Sequence, residues 1–219
     1  MDERPEESIA APTHKAGQSI QSVKDLAVQL FTITAGVLIA LSLEGLVGWN
    51  NNRLLVREAK ATIAREISDN KDALDRHLAD SDARMTDTET SLRLANELLA
   101  TRKSDIRELQ LQFHLASLSA AGWHTAERTN ALAYMDYPDV QEYAKLYDLQ
   151  NMYVNHQQRV MDRTVSELSK LAGGDPHQAP PEDLQRFRQE LQELSGDLLV
   201  DVQLGKQLSA RYKEMLARP

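Results

Sequence analysis

The sequence predicts an all-α protein in which one transmembrane helix near the N-terminus continues into an elongated antiparallel four-helix bundle. Three observations carry that reading. The palette is that of long helices: 219 residues include only 9 Gly, 7 Pro and 3 Phe, against plentiful Leu, Ala, Glu, Gln, Asp and Arg. Apolar residues recur at three- and four-residue steps, and no stretch alternates with period two for long enough to make a strand. One run, LAVQLFTITAGVLIALSL from Leu26 to Leu43, carries no charge in an otherwise hydrophilic chain.

Those 18 residues rise by about 27 Å as a helix, close to the hydrocarbon thickness of a bilayer. The segment therefore reads as a transmembrane helix over 23–49, with the lipid bilayer as its surroundings. Residues 1–22 are polar, rich in small residues and without apolar periodicity, which predicts disorder. Trp49 suits the membrane–water interface as an anchor, and Asn51, Asn52 and Arg53 mark the aqueous side. A cleaved signal peptide is the competing reading, and Ala40-Leu41-Ser42 has the small-residue form of a cleavage site. The acidic leader and the length of the run argue against it. A core helix of a soluble protein would be shorter. Flanking cations are nearly balanced, with Arg4, Lys15 and Lys24 before the span and Arg53, Arg57, Lys60 and Arg65 after it, so the positive-inside rule gives no orientation.

Thr32, Gly36, Ala40, Glu44 and Gly48 recur every four residues and share one face of that helix. Small residues at this spacing let two helices approach closely in lipid. Glu44 on the stripe has two readings: a carboxylate solvated at the interface, or one that seeks a partner helix.

Residues 50–219 read as the extramembrane bundle. No proline or glycine interrupts Asn51 to Thr101, where Ile63, Ile67, Leu74, Leu78, Met85, Leu92, Ala95 and Leu99 keep to one face. The stripe weakens at Asn70, Ser81 and Thr88, which predicts a kink or a wetter stretch there. A turn at Thr101–Asp105 leads to a second helix from Ile106, carrying Leu109, Phe113, Leu115, Leu118 and Trp123, interrupted near Gly122 and resumed over 125–134. Tyr137-Pro138 breaks it, and a third helix over 138–171 lines its inner face with Val140, Tyr143, Tyr147, Val154, Met161, Leu168 and Leu171, with Gln150 and Gln157 at seam positions. Gly173-Gly174-Asp175-Pro176 stops that helix. The last helix, over 182–216, has the seam Leu184, Phe187, Leu191, Leu194, Leu198, Val202, Gly205, Leu208, Tyr212 and Met215. Four amphipathic helices on short loops bury their stripes most economically against one another, with coiled-coil-like spacing.

The chain offers little catalytic chemistry. A net charge of −8 argues against a nucleic-acid surface. The absence of cysteine excludes disulfides and thiolate metal sites. His14, His77, His114, His124, His156 and His177 stand at no metal-ligand spacing and read as surface or half-buried residues. Glycine-rich phosphate loops, nucleophile elbows and Glu-x-x-His pairs are missing. No catalytic, cofactor or metal residue is expected. Trp123, Tyr134, Tyr137, Tyr143, Tyr147 and Tyr153 cluster in sequence and read either as core packing or as a partner or ligand groove.

Gly36-Val37-Leu38-Ile39-Ala40-Leu41 followed by Trp49-Asn50 and a basic helix start at Arg53 resembles a widespread family of uncharacterised bacterial single-pass membrane proteins. In that family a GxLIAL segment leads into Trp-Asn and a long charged helix. Trp123-x-x-Ala126, Thr129-x-Ala131-Leu132 and Tyr143-Ala144-x-Leu146-Tyr147 extend the likeness over most of residues 30 to 160. The leader is longer here, and Gly45-Leu46-Val47-Gly48 precedes Trp49. The resemblance implies an inner-membrane protein with a cytoplasmic N-terminus and a periplasmic helical domain, and supplies no catalytic residue. The expected function is a non-enzymatic protein-interaction or scaffold module, self-associating or bound to another membrane protein. The alternative is a ligand-sensing bundle that signals through a separate partner.

Overall fold

From Val23 to Ala79 the chain is one α-helix, α1, continuous as the absence of a strong breaker over Trp49 to Arg57 predicts. The computed structural model describes residues 23–106, 115–168 and 176–218, and the chain divides after Asn51 into two units. All the described secondary structure is helical. The predicted disordered leader, Leu109, Phe113, His14, His114 and the stop at Gly173-Gly174 lie outside the described residues.

In the first unit, the apolar window of α1 is long and apolar enough to cross a membrane, and none of it is buried. Phe31, Ile33, Val37, Leu38, Ile39 and Leu41 are all exposed. The hydroxyls inside it are spent on the helix itself: Thr32 Oγ1 donates to the Val28 carbonyl at 2.9 Å and Ser42 Oγ to the Leu38 carbonyl at 2.7 Å. Such back-bonding satisfies a polar group where no water is available. At Gly36, Gly45 and Gly48, a Cβ would meet nothing within 4 Å.

The second unit contains the rest of α1 and four further helices: α2 (Ser81–Thr101), α3 (Ala121–Arg128), α4 (Tyr137–Leu168) and α5 (Pro181–Leu216). Short 3-10 turns lie at Ala131–Tyr134 and Pro176–Gln178. A break falls at Asp80, between α1 and α2 and beside Ser81 where the stripe weakens, and the Arg84 N–H opens α2 by donating to the Asp80 carbonyl at 3.2 Å. Arg102 closes α2 in a left-handed conformation, φ 59°, with its N–H on the Leu98 carbonyl. Pro181 opens α5, a position where its missing N–H costs no helical bond.

Side-chain pairings set the directions of the long helices. Glu66 meets Tyr147, Asn70 meets Gln150 and His77 meets Gln157, so α1 and α4 run in the same sense. Tyr212 meets Gln150 and Asp201 meets His77, so α5 runs against both. This is the arrangement of the first, third and fourth helices of an up-and-down bundle. The second position differs from expectation. Residues 115–120 are not helical, and α3 starts at Ala121 and ends at Arg128. The cause is visible at Ser119, whose N–H is taken by Asn70 Oδ1 at 2.8 Å and whose carbonyl accepts from Asn70 Nδ2 at 2.7 Å and Gln150 Nε2 at 2.9 Å. With its backbone groups held sideways by α1 and α4, Ser119 has none left for a helical ladder.

The seam of α1 and α2 is stricter than an apolar reading of it. Ile63, Ile67, Asn70, Leu74, His77, Ser81, Arg84, Thr88, Ser91, Ala95 and Leu98 are all buried, in alternating steps of four and three. Asn70, Ser81 and Thr88, expected to be wet, are in the core, whereas Leu78, Met85, Leu92 and Leu99 flank it half-buried. The same correction applies on the partner helices. On α5 the seam position is Asp201 rather than Val202, and on α4 it is Tyr153, fully buried, rather than Val154, which is exposed. Gln150 and Gln157 lie in the core, as their spacing predicts. At Gly205 an added Cβ would come within 2.8 Å of Leu78 Cδ2 and 3.3 Å of Tyr153 Cε2, so glycine is what lets Leu78 pack there beside the Tyr153 ring.

Candidate functional site: a buried polar layer and its cavity

Two polar layers cross the bundle. The first is centred on Glu66, buried on α1. Its Oε2 accepts from the Gly122 N–H at 2.7 Å and Ser119 Oγ at 2.8 Å, and its Oε1 from Tyr147 Oη at 2.6 Å and the Trp123 N–H at 3.4 Å. Glu66 thereby caps the first turn of α3 from a neighbouring helix, where exposed N–H groups and the helix dipole favour an anion. Gly122 permits the approach, since a Cβ there would sit 3.2 Å from the carboxylate. Burial pushes the Glu66 carboxyl up, but these four donors outweigh it and hold it below the ordinary carboxylate range. Burial and the Glu66 charge drive the Tyr147 phenol well above its usual range.

Around this layer the aromatic candidates separate. Trp123 stacks on Tyr147 at 5.4 Å between centroids and lies 6.3 Å from Tyr143. Trp123 and Tyr147 are buried, Tyr143 is half-buried, and together they cover the top of the core formed by Ile63, Ile67, Leu146 and Met215. Tyr153 is buried further along α4. Tyr134 and Tyr137 are exposed and join neither group. The six residues do not converge on one groove.

The second layer was not legible as a site in the sequence. His77 on α1, Arg84 on α2, Gln157 on α4 and Asp201 on α5 meet in the core, all buried. His77 Nε2 lies 3.0 Å from Asp201 Oδ2, 3.0 Å from Gln157 Nε2 and 3.1 Å from an Arg84 guanidinium nitrogen. Arg84 also donates to the His77 carbonyl at 3.0 Å, and its guanidinium lies 3.7 Å from Asp201 Oδ2. Gln157 Nε2 donates to Tyr153 Oη at 2.9 Å, and the Tyr153 ring meets His77 edge-on at 6.4 Å. Burial beside Asp201 raises the Tyr153 phenol far above its ordinary value.

This layer divides the apolar core. Leu74, Tyr153 and Leu208 close the cluster on one side of it, and Leu198, with Met85 and Val160, opens the next on the other. Beside it lies a cavity of about 30 Å³, with room for about two waters, open to the surface. His77, Arg84, Gln157 and Asp201 stand along it with Leu115, Val160, Met161 and Leu198, and the surface it presents is almost wholly apolar. Two buried atoms of the layer, Arg84 Nε and Asp201 Oδ1, make no hydrogen bond. His156 is buried as well, so two of the histidines expected near the surface are in the interior; His124 is exposed and His177 half-buried. The four residues of the layer fall in register on the strict four-three alternation. Continuing that count through polar positions is the signal that finds them.

Among the described residues no group of three His, Asp or Glu is arranged to hold a metal ion. Trp49, expected at the interface, and the stripe Thr32, Gly36, Ala40, Glu44 and Gly48 all lie exposed on the first unit's helix. No protein-family model matches the chain, and neither a curated protein nor a solved structure was found to match it.

Proposed function

We propose that this chain is a single-pass protein of the bacterial inner membrane, with its N-terminus in the cytoplasm and its helical unit in the periplasm, acting as a non-enzymatic interaction module. The observation that carries the reading is the uncharged helical window over Leu26 to Leu43 with no part of it buried. Exposing this much apolar side chain to water costs about 25 cal/mol per Å², and lipid removes that cost. The resemblance at Gly36–Leu41 and Trp49-Asn50 supports the orientation. The face bearing Gly36, Ala40 and Gly48 supports close pairing of the span, either with a second copy or with the helix of another membrane protein.

Gly36→Ile is therefore expected to lower self-association in a membrane two-hybrid assay several-fold, while Val37→Ile, off the stripe, leaves it unchanged. Equal signals for both would remove the stripe from the account. A second reading, a ligand-sensing bundle that signals through a separate partner, is favoured by the cavity at Arg84 and Asp201.

A further inference from the structure

We infer that the end of the second unit at which the chain enters it lies on the lipid surface, with Tyr134 and Tyr137 in the headgroup layer. The inference rests on the single-pass reading and adds a second lipid contact to it. Lys60 of α1 pairs with Asp139 near the start of α4. The pairings Lys60–Asp139, Glu66–Tyr147 and Asn70–Gln150 span 79, 81 and 80 residues, one register, which sets Tyr137 level with Arg57. Ala131 and Met135, on either side of Tyr134, are buried in the core against which Leu55, Val56 and Ala59 pack, so this loop is fixed at the same end. Arg57 is about 8 Å of helical rise from Asn52, where the unit begins. Asn52 in turn follows the interfacial Trp49 by three residues. The chain thus holds both tyrosines within reach of a headgroup layer about 5–7 Å thick.

The side chains exposed at this end suit that surface. Tyr137 is 72 % exposed and Tyr134 51 %, and Leu54 is exposed on α1 beside them. By contrast, α2 and residues 181–198 of α5, which lie away from this end, expose no large apolar side chain. Tyrosine carries an apolar ring with a hydrogen-bonding tip, the combination that concentrates where membrane meets water. Charge adds little. Arg53 and Arg57 are exposed here together with Glu58 and Asp136, and Lys60 is paired with Asp139. The attraction is therefore that of ring and aliphatic surface, and it needs no anionic lipid.

The test uses the full chain in phosphatidylcholine nanodiscs. The chain has no cysteine, so a bimane on Ala133→Cys, an exposed position beside Tyr134, reports on this loop alone. With a nitroxide on the lipid headgroup, its emission is expected to fall about twofold or more, as a side chain at interfacial depth should. A bimane on Met152→Cys, exposed further along α4, is expected to keep its emission. Tyr134→Ser combined with Tyr137→Ser is expected to bring the Ala133→Cys signal to the Met152→Cys level, and both changes are at exposed positions that leave the fold intact. The quenching is expected to persist at about 0.5 M salt, where exposed charges are screened. Suppose the Ala133→Cys label is quenched no more than the Met152→Cys label, while a label on Leu38→Cys is quenched by a nitroxide in mid acyl chain. That result would overturn the contact and leave the single-pass reading standing. No quenching at either Ala133→Cys or Leu38→Cys would remove the span as well. Quenching that survives the double tyrosine change, or that vanishes in salt, would overturn the assignment to the two tyrosines.

Discussion

Replacing Asp201 by leucine is expected to lower stability by about 3–5 kcal/mol, because it leaves the Arg84 guanidinium buried without its counter-charge. Asp201 is 6 % exposed, and its carboxylate lies against His77 Nε2 and the guanidinium, so the loss is not made good by water. The same reasoning predicts a rescue. Arg84→Met combined with Asp201→Leu removes both charges and joins the two apolar clusters that the layer now separates. The double variant is expected to regain most of the lost stability, since a well-packed apolar replacement of a buried ion pair is often neutral or better. Thermal and denaturant unfolding of the full chain in detergent, followed by helical circular dichroism, measures both. If the single substitution costs less than about 1 kcal/mol, the pair is more solvated than its burial indicates. If the double variant is as unstable as the single one, the layer does more than balance charge.

The second large effect is expected at Glu66. Glu66→Gln replaces one acceptor oxygen with an amide that faces two donors, and should cost about 3 kcal/mol at neutral pH. It should also change the pH dependence. The folded chain holds the Glu66 proton less tightly than the ordinary carboxylate of pKa 4.5, so the unfolded chain takes up that proton first as pH falls. The contribution of Glu66 is therefore complete above pH 4.5 and is lost as pH drops through the folded value. Glu142 titrates in the same direction, held down to about 2 by Lys145, Arg211 and Arg218. Asp75 does too: burial raises it, but Lys71 and Ser209 bring it below its usual range. The melting temperature is thus expected to stay level from pH 7 to about 5 and to fall below that, with a shallower fall in Glu66→Gln. An equal acid slope in the wild type and the variant would deny Glu66 this role.

These two layers show where sequence reading succeeds and where it stops. The long helices were legible because their apolar residues keep a three-four spacing and proline stands only at their ends, as at Tyr137-Pro138 and Pro180-Pro181. The apolar seam positions Ile63, Ile67, Leu74 and Leu191 were legible because burial is the common fate of such side chains. Asp201 and His77 were not, because choosing the more apolar neighbour at each step moved the seam to Val202 and Leu78. What makes their burial tolerable is a partner 124 residues away in the chain, and local periodicity carries no record of that. Over 115–120 the predicted second helix fails for the same reason. Leu115 and Leu118 continue a helical spacing, yet 115–120 are not helical because Ser119 is held by Asn70 and Gln150 from two distant helices, and tertiary hydrogen bonds override propensity there.

The apolar span is the most local of these features and the one on which the proposed function stands. The natural chain has no cysteine, so single cysteines can report on it without background. In spheroplasts, Leu38→Cys is expected to resist a membrane-impermeant maleimide until detergent is added, because lipid excludes the reagent and disfavours the thiolate. Asn51→Cys is expected to react in intact spheroplasts. Rapid labelling of Leu38→Cys without detergent would contradict the claim that this helix lies in the bilayer.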